Sequence, residues 1–129
     1  MTTEPESIVR AFMSAMESLD YDTALTFVSD DVEYTNMPMG PASTTRGPAG
    51  IRAVLEPFFA PTISNEWVVK SVAVAGNTVF MERLDRHLLQ KGWAELPVTG
   101  VFEVVNGKIV SWREYFDFAT IERALTALH

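Results

Sequence analysis

Leu96-Pro-Val-Thr-Gly-Val-Phe-Glu-Val-Val-Asn-Gly-Lys-Ile-Val-Ser-Trp-Arg-Glu-Tyr-Phe116 decides how this chain folds. Asn106-Gly107 at its centre is a two-residue turn signal, because both residue types tolerate the positive φ of a tight hairpin. Apolar residues alternate on either side, which predicts antiparallel strands over Leu96 to Val105 and Lys108 to Phe116. Alternation puts Leu96, Val98, Gly100, Phe102 and Val104 on one face of the first strand. It puts Val110, Trp112, Glu114 and Phe116 together on the second, with Ser111, Arg113 and Tyr115 opposite. Upstream the pattern repeats: the period changes to two from residue 64, and Trp67 to Ala75 and Thr78 to Leu88 flank Gly76-Asn77. Met81, Arg83, Asp85 and His87 then share a face, while Phe80, Glu82 and Leu84 take the other.

The N-terminal half reads as helix. Thr3 with Glu6 forms a capping box, and Ile8, Val9, Phe12, Met13, Met16 and Leu19 follow at helical spacing. A second helix is expected from Asp20 or Asp22, burying Ala24, Leu25 and Val28 and ending at Ser29-Asp30-Asp31 before a short strand from Val32 to Thr35. The Pro- and Gly-rich stretch from Met37 to Pro48 is a loop. Pro48 opens a third helix that presents Ile51, Val54, Leu55 and Phe58 to the core, with Pro57 disturbing its last turn. A final helix is expected from Phe118 to Leu128. This order predicts a single α+β domain over 1–129. Its strongly curved, mixed β-sheet would carry helices folded over the concave face, making a cone with room for one small apolar molecule.

Composition narrows the function. The chain has 129 residues, 47% hydrophobic and 21% charged, with a net charge of −7 and no cysteine. Without a basic cluster, nucleic acid and anionic membrane are not expected partners. Without cysteine there is no disulfide, thiolate nucleophile or thiolate metal site. The two histidines, His87 and His129, sit at no ligand spacing, so no metal is expected. No Gly-rich phosphate loop and no Ser or Thr paired with His in a recognisable motif is present, and no cofactor is expected. The polar opening and the lack of an ~18-residue apolar run point to a cytoplasmic protein.

One self-consistent interior collects Met81, Val98, Phe102, Trp112 and Phe116, with Arg83, Asp85 and Glu114 among them and Met13 and Met16 covering it. Tyr34 and Asn36 share a face two residues apart on the short strand. Taken singly, Arg83 and Asp85 would be a solvated ion pair on an edge strand, Glu114 a surface carboxylate, Tyr34-x-Asn36 a strand end and His87 a rim residue. Together they fall in register with the large apolar residues, and burying such a set costs several kcal/mol unless its members satisfy one another. Two carboxylates bridged by one arginine cannot titrate alike, which makes one an acid and the other a base. A water held by Tyr34, Asn36 and the ionised carboxylate would be a nucleophile, and the protonated carboxyl would donate to a leaving oxygen.

Tyr34-x-Asn36-Met37-Pro38, Glu82-Arg83-x-Asp85 and Trp112-Arg113-Glu114-Tyr115-Phe116-Asp117 resemble the active-site segments of the limonene epoxide hydrolase family. That family lies within the NTF2-like (SnoaL-like, cystatin-like α+β) superfamily. The resemblance runs from about Ile8 to Ala124 and includes Gly100-Val-Phe and Asn106-Gly107-Lys-Ile. It implies Arg83 as the bridging arginine, Asp85 as the acid that protonates the epoxide oxygen, and Tyr34 and Asn36 as holders of the water. Glu114 falls where the family's base, an aspartate, is expected, and His87 where an apolar residue is expected. It also implies a small lipophilic substrate and a homodimer formed through the outer sheet face, where parity places Tyr115, Arg113, Glu103 and Val101. Two other readings use the same cone: a ketosteroid-isomerase-like or polyether-cyclising enzyme, and a non-catalytic binder of lipophilic molecules.

Overall fold

The computed structural model describes residues 4–128. In chain order the elements are α1 (Pro5–Glu17), α2 (Tyr21–Ala24), β1 (Val28–Asn36), β2 (Thr45–Arg46), α3 (Gly47–Phe59), β3 (Ser64–Ala75), β4 (Thr78–Leu89), β5 (Gly92–Val105), β6 (Lys108–Tyr115) and α4 (Phe118–Thr126). The strands form one sheet in the order β2-β1-β6-β5-β4-β3. Every pairing is antiparallel except that of β1 with β6. The arrangement is α+β, as the element order predicts, and the turn at Asn106-Gly107 has both residues at positive φ, 51° and 77°.

Helix α1 buries Ile8, Val9, Phe12, Met13 and Met16, a stripe that continues each turn on the same side. Glu4 holds its capping position without a side-chain capping hydrogen bond; Thr3 of the expected capping box lies outside the described residues, as does His129. The helix ends with Leu19 in the left-handed region, φ 57°. The Leu19 amide donates to the Met16 carbonyl and the Asp20 amide to the Ala15 carbonyl, both at 2.9 Å. Asp20 then accepts from the Thr23 amide at 3.2 Å and starts α2.

The interior centres on Trp112. Tyr34 stacks on it at 4.4 Å, Phe102 lies nearly parallel at 5.9 Å, and Phe12 meets its face edge-on at 5.1 Å. Each such pair stabilises by about 0.5–1.5 kcal/mol beyond the area it buries.

Four expectations need correction. Strand β1 starts at Val28, so Ser29-Asp30-Asp31 lies in the strand and not at a helix end. Val28 is buried and pairs with Ile109, and an irregular register between Val28 and Glu33 leaves Asp30 and Asp31 exposed. Second, the residue of β6 that joins the buried face is Ile109, not Val110. The ladder passes from Glu103↔Ser111 to Val104↔Ile109, which leaves Val110 as the unpaired residue of a bulge and reverses the alternation below it. Third, Phe59 and not Phe58 completes the buried stripe of α3 with Ile51 and Leu55, because the four-residue spacing runs through Pro57, which lies inside the helix. Fourth, Val101 on the outer face is buried within the chain. On that face Arg113 pairs with Glu103 at 2.5 Å, while Phe80 and Tyr115 remain exposed. Among the described residues no helix is long and apolar enough to cross a membrane.

Candidate active site

Strand register assembles the site. Asn36 on β1 stands beside Glu114 on β6, Glu114 opposite Gly100 on β5, and Gly100 opposite Met81 on β4. Two strand spacings of ~4.8 Å separate β6 from β4, so only long side chains can meet across β5. Arg83 and Glu114 do so. Arg83 Nη2 donates to Glu114 Oε1 at 2.6 Å and Nη1 to Oε2 at 3.2 Å. On its own strand Arg83 donates from Nε to Asp85 Oδ1 and from Nη2 to Asp85 Oδ2, both at 2.9 Å. One guanidinium therefore grips two carboxylates through two-pronged contacts, the strongest geometry available to this pair of groups.

Gly100 is what allows this. A Cβ there would lie 2.7 Å from Glu114 Oε2 and 2.8 Å from both Arg83 Nη1 and Phe102 Cε1. A glycine in the middle of a strand weakens it unless something must approach the backbone closely, and here the ion bridge does.

Burial sets the electrostatics. Arg83 is 1% exposed, Asp85 6% and Glu114 7%. Desolvation alone would lower the Arg83 pKa, but the charges of Glu114 and Asp85 and the hydrogen bonds to both outweigh it and hold the guanidinium ionised. Desolvation pushes the Glu114 carboxyl above its ordinary 4.5; Arg83 opposes this and Asp85 adds to it. One cation between two carboxylates leaves a buried charge of −1, which a single shared proton removes. Trp112 Nε1 is close enough to favour the ionised Glu114 but makes no hydrogen bond to it.

Tyr34 is stacked beneath this group, and burial followed by the Glu114 charge keeps its phenol protonated. Asn36 Nδ2 lies 3.2 Å from the phenol oxygen and Oδ1 lies 3.3 Å from it. With Nδ2 donating, the phenol proton and Asn36 Oδ1 are both left for a third group. Ser43 holds this strand end in place, accepting from the Asn36 amide and sitting 3.0 Å from the Asn36 carbonyl.

A cavity of about 240 Å³ opens beside these groups. Tyr34, Asn36, Asp85, His87, Val98, Trp112, Glu114 and Phe116 all line it, as the sequence places them. Arg83 does not; it lies behind the carboxylates, facing a smaller cavity of about 150 Å³ with Met13 and Met81. Met16 and Phe102 are fully buried in the aromatic core. These four, Met13, Met16, Met81 and Phe102, are thus under the site and not in the wall of the main cavity, because the carboxylates and Trp112 separate them from it. The sequence reading missed the opposite wall, which α3 and α4 supply with Leu55, Phe58, Phe59, Ile121 and Leu125. The four-residue spacing of Ile121 and Leu125 was the available signal. It also missed Gly100 as the residue that lets the bridge close, and Asn65, which lies against His87. Among the described residues no three His, Asp or Glu converge as a metal site.

Comparison with known proteins identifies the family. The family described as the limonene-1,2-epoxide hydrolase catalytic domain matches residues 3–127. The chain belongs to the limonene-1,2-epoxide hydrolase family. It is 32% identical over 124 residues to the epoxide hydrolase EphG of Mycobacterium tuberculosis, covering 93% of this chain and 80% of that protein. It superposes on the structure of an LEH-like epoxide hydrolase of M. tuberculosis with a TM-score of 0.77 at 33% identity, over 98% of this chain and 96% of the other. The limonene-1,2-epoxide hydrolase family shares its fold more widely. An NTF2-like protein from Burkholderia pseudomallei, of unknown function, gives a TM-score of 0.82 at 21% identity, covering 98% and 99%. A putative SnoaL-like polyketide cyclase from Shewanella putrefaciens gives 0.84 at 17%, covering 98% and 88%. These last two show the NTF2-like fold alone.

Proposed function

We propose that this chain hydrolyses a small lipophilic epoxide to a vicinal diol in one step, without a covalent enzyme intermediate. The observation that carries the reading is the pair of buried carboxyls on a single arginine, at the end of an apolar cavity whose adjoining wall is Tyr34 and Asn36. Glu114 is the base. Asn36 stands beside it in register, so a water that accepts from the Tyr34 hydroxyl can donate to both Asn36 Oδ1 and Glu114. That water keeps a lone pair for attack on a ring carbon.

As the new C–O bond forms, the proton of the water passes to Glu114 and the ring C–O bond breaks. Asp85 gives its proton to the departing oxygen, which becomes the second hydroxyl of the diol. Glu114 leaves the step protonated and Asp85 ionised, and proton exchange returns the pair to its starting state. Arg83 keeps its charge throughout and holds the two groups at fixed separation, the orientation effect that can supply several kcal/mol of the barrier. The raised Glu114 pKa makes it a stronger base once ionised. The additional methylene relative to an aspartate is accommodated in the bridge, since both Glu114 oxygens reach Arg83.

Limonene, cyclohexene and styrene oxides offered in ¹⁸O-water test the proposal. It expects diol carrying one solvent oxygen; folded protein that leaves all three unconverted would sink it, and isomer without label would favour proton transfer or cyclisation. Phe80 and Tyr115, exposed on the outer sheet face, support a homodimer through that surface. Sedimentation at micromolar concentration should give twice the chain mass, and the monomer mass would refute it.

A further inference from the structure

His87 is a buried imidazole in the cavity wall, set among its apolar residues beyond Asp85, and the proposed hydrolysis gives it no task. Its ring is packed by Phe59 at 5.3 Å and meets Phe58 at 6.2 Å. On β3, its cross-strand neighbour is Asn65. His87 Nδ1 lies 2.8 Å from Asn65 Oδ1. An amide oxygen only accepts, so Nδ1 carries the proton and donates. The opposite end of the Asn65 amide supports that orientation: its Nδ2 points to the Glu17 carbonyl, 3.5 Å away at the C-terminus of α1. Helix α1 thereby orients the amide, and the amide selects the tautomer. Burial lowers the His87 pKa below its ordinary 6.5; Asp85 opposes the shift and Arg83 adds to it, so the ring is neutral at neutral pH.

The remaining nitrogen, Nε2, is an acceptor. Among the described residues it has no hydrogen-bond partner, and it is not among the buried side-chain atoms sealed from solvent without one, such as Trp67 Nε1. It is therefore reachable from the open space that His87 borders, which is the main cavity and, on the far side of Phe58, a second cavity of about 560 Å³. A bare acceptor in an apolar wall selects a ligand that brings a donor. A hydrocarbon there leaves the lone pair desolvated and unpaired, a loss of about tenfold in affinity. Position adds a distance rule. His87 follows Asp85 by two residues on one strand face, so the two side chains spring from backbone positions ~7 Å apart along β4, at ~3.4 Å per residue.

Building on the hydrolase reading, we propose that the substrate is an epoxide bearing a hydroxyl group about four to five bonds from the ring, its O–H donated to His87 Nε2, with Asn65 as the positioning residue that holds the acceptor tautomer. A matched trio tests this: 5,6-epoxyhexan-1-ol, its methyl ether, and 1,2-epoxyhexane. The ether keeps the oxygen and loses only the donor. Affinity is read by tryptophan fluorescence and turnover by diol formation, each for wild type, His87→Leu and Asn65→Leu.

The wild type should bind and turn over the alcohol about tenfold better than the ether, within the range that one unpaired buried polar group produces. Both variants should bring the alcohol-to-ether ratio close to one. Because each ratio is taken within one protein, a general loss of activity does not move it. If His87→Leu fails to fold, Asn65→Leu keeps the ring and still tests the tautomer. A wild-type ratio near one in both readouts, or a ratio that survives in the folded variants, overturns the inference while leaving the hydrolase reading intact. No turnover of any epoxide, with the alcohol still binding more tightly through His87, overturns the hydrolase reading and leaves this one standing.

Discussion

Along the inner face of β4, Val79 and Met81 pack among hydrocarbon side chains, whereas on the same face Arg83 and Asp85 grip each other and His87 meets Asn65. The strand is continuous and the alternation unbroken; only the residue type changes. At the closed end, Met81, Phe102, Trp112 and Phe12 fill space and lose nothing by burial. At the open end, each buried charge is held by another, and a cavity lies beyond them. The lesson is a division of labour. The aromatic core stabilises the fold, and that surplus tolerates a buried ion triad whose worth to stability alone is doubtful.

Removing the clamp should break the contrast most severely. Arg83→Met leaves two buried carboxyls without a partner and is expected to cost about 3–5 kcal/mol in chemical unfolding. Turnover should fall at least a thousandfold, since acid and base lose their common support. Adding Asp85→Asn and Glu114→Gln to that variant should recover most of the stability and none of the activity.

The closed end should respond the other way. Phe12→Ala removes the edge-on partner of Trp112 and is expected to cost about 3–5 kcal/mol. In the folded fraction the pH dependence of kcat/KM should be unchanged, and a shifted profile would show that the two ends are coupled.

Gly100→Ala tests the boundary between them. The methyl would press on Glu114, Arg83 and Phe102 at once, so a rate loss of about 100-fold is expected from misplacement of roughly an ångström. The stability loss should be only about 1–3 kcal/mol, as for overpacking generally. Equal kcat in the variant and the wild type would show that the bridge can close without the glycine.

The smallest effect to resolve is pH dependence. Because Glu114 is raised in the folded state, its neutral form contributes stability below 4.5 that is lost as pH rises through the folded value. In the proposed mechanism its ionised form is the base while Asp85 keeps the shared proton, so kcat/KM should climb about tenfold per pH unit as Glu114 ionises, with a midpoint above 4.5, and fall again once the pair loses that last proton. Activity and this part of the stability should run in opposite directions. Comparing wild type with Glu114→Gln in both rate and Tm isolates the effect, and parallel slopes would contradict the assignment of Glu114 as base.

Most of the β-sheet was legible because strand alternation is local: parity alone aligned Arg83, Asp85 and His87 with Met81, and Glu114 with Trp112. The extra residue at Val110 was not legible, since a bulge is defined by the partner strand. Nor was the start of β1 at Val28, whose polar Ser29-Asp30-Asp31 looks like a helix end until Ile109 supplies a partner for Val28. The wall from α3 and α4 was hidden for a related reason. Apolar stripes announce that a helix buries one side, not what lies opposite it.

The sequence by itself determined which residues could share a face, because side-chain direction follows from backbone period. It therefore carried Asp85, Glu114, Arg83, Tyr34 and Asn36, to which the proposed mechanism gives the roles of acid, base, clamp and water holders. Only the tertiary structure decided that Arg83 and Glu114 span a whole strand, that Gly100 leaves them the space, and that Asn65 lies within hydrogen-bond distance of His87. Those facts depend on distances between strands far apart in the chain, which no local pattern encodes.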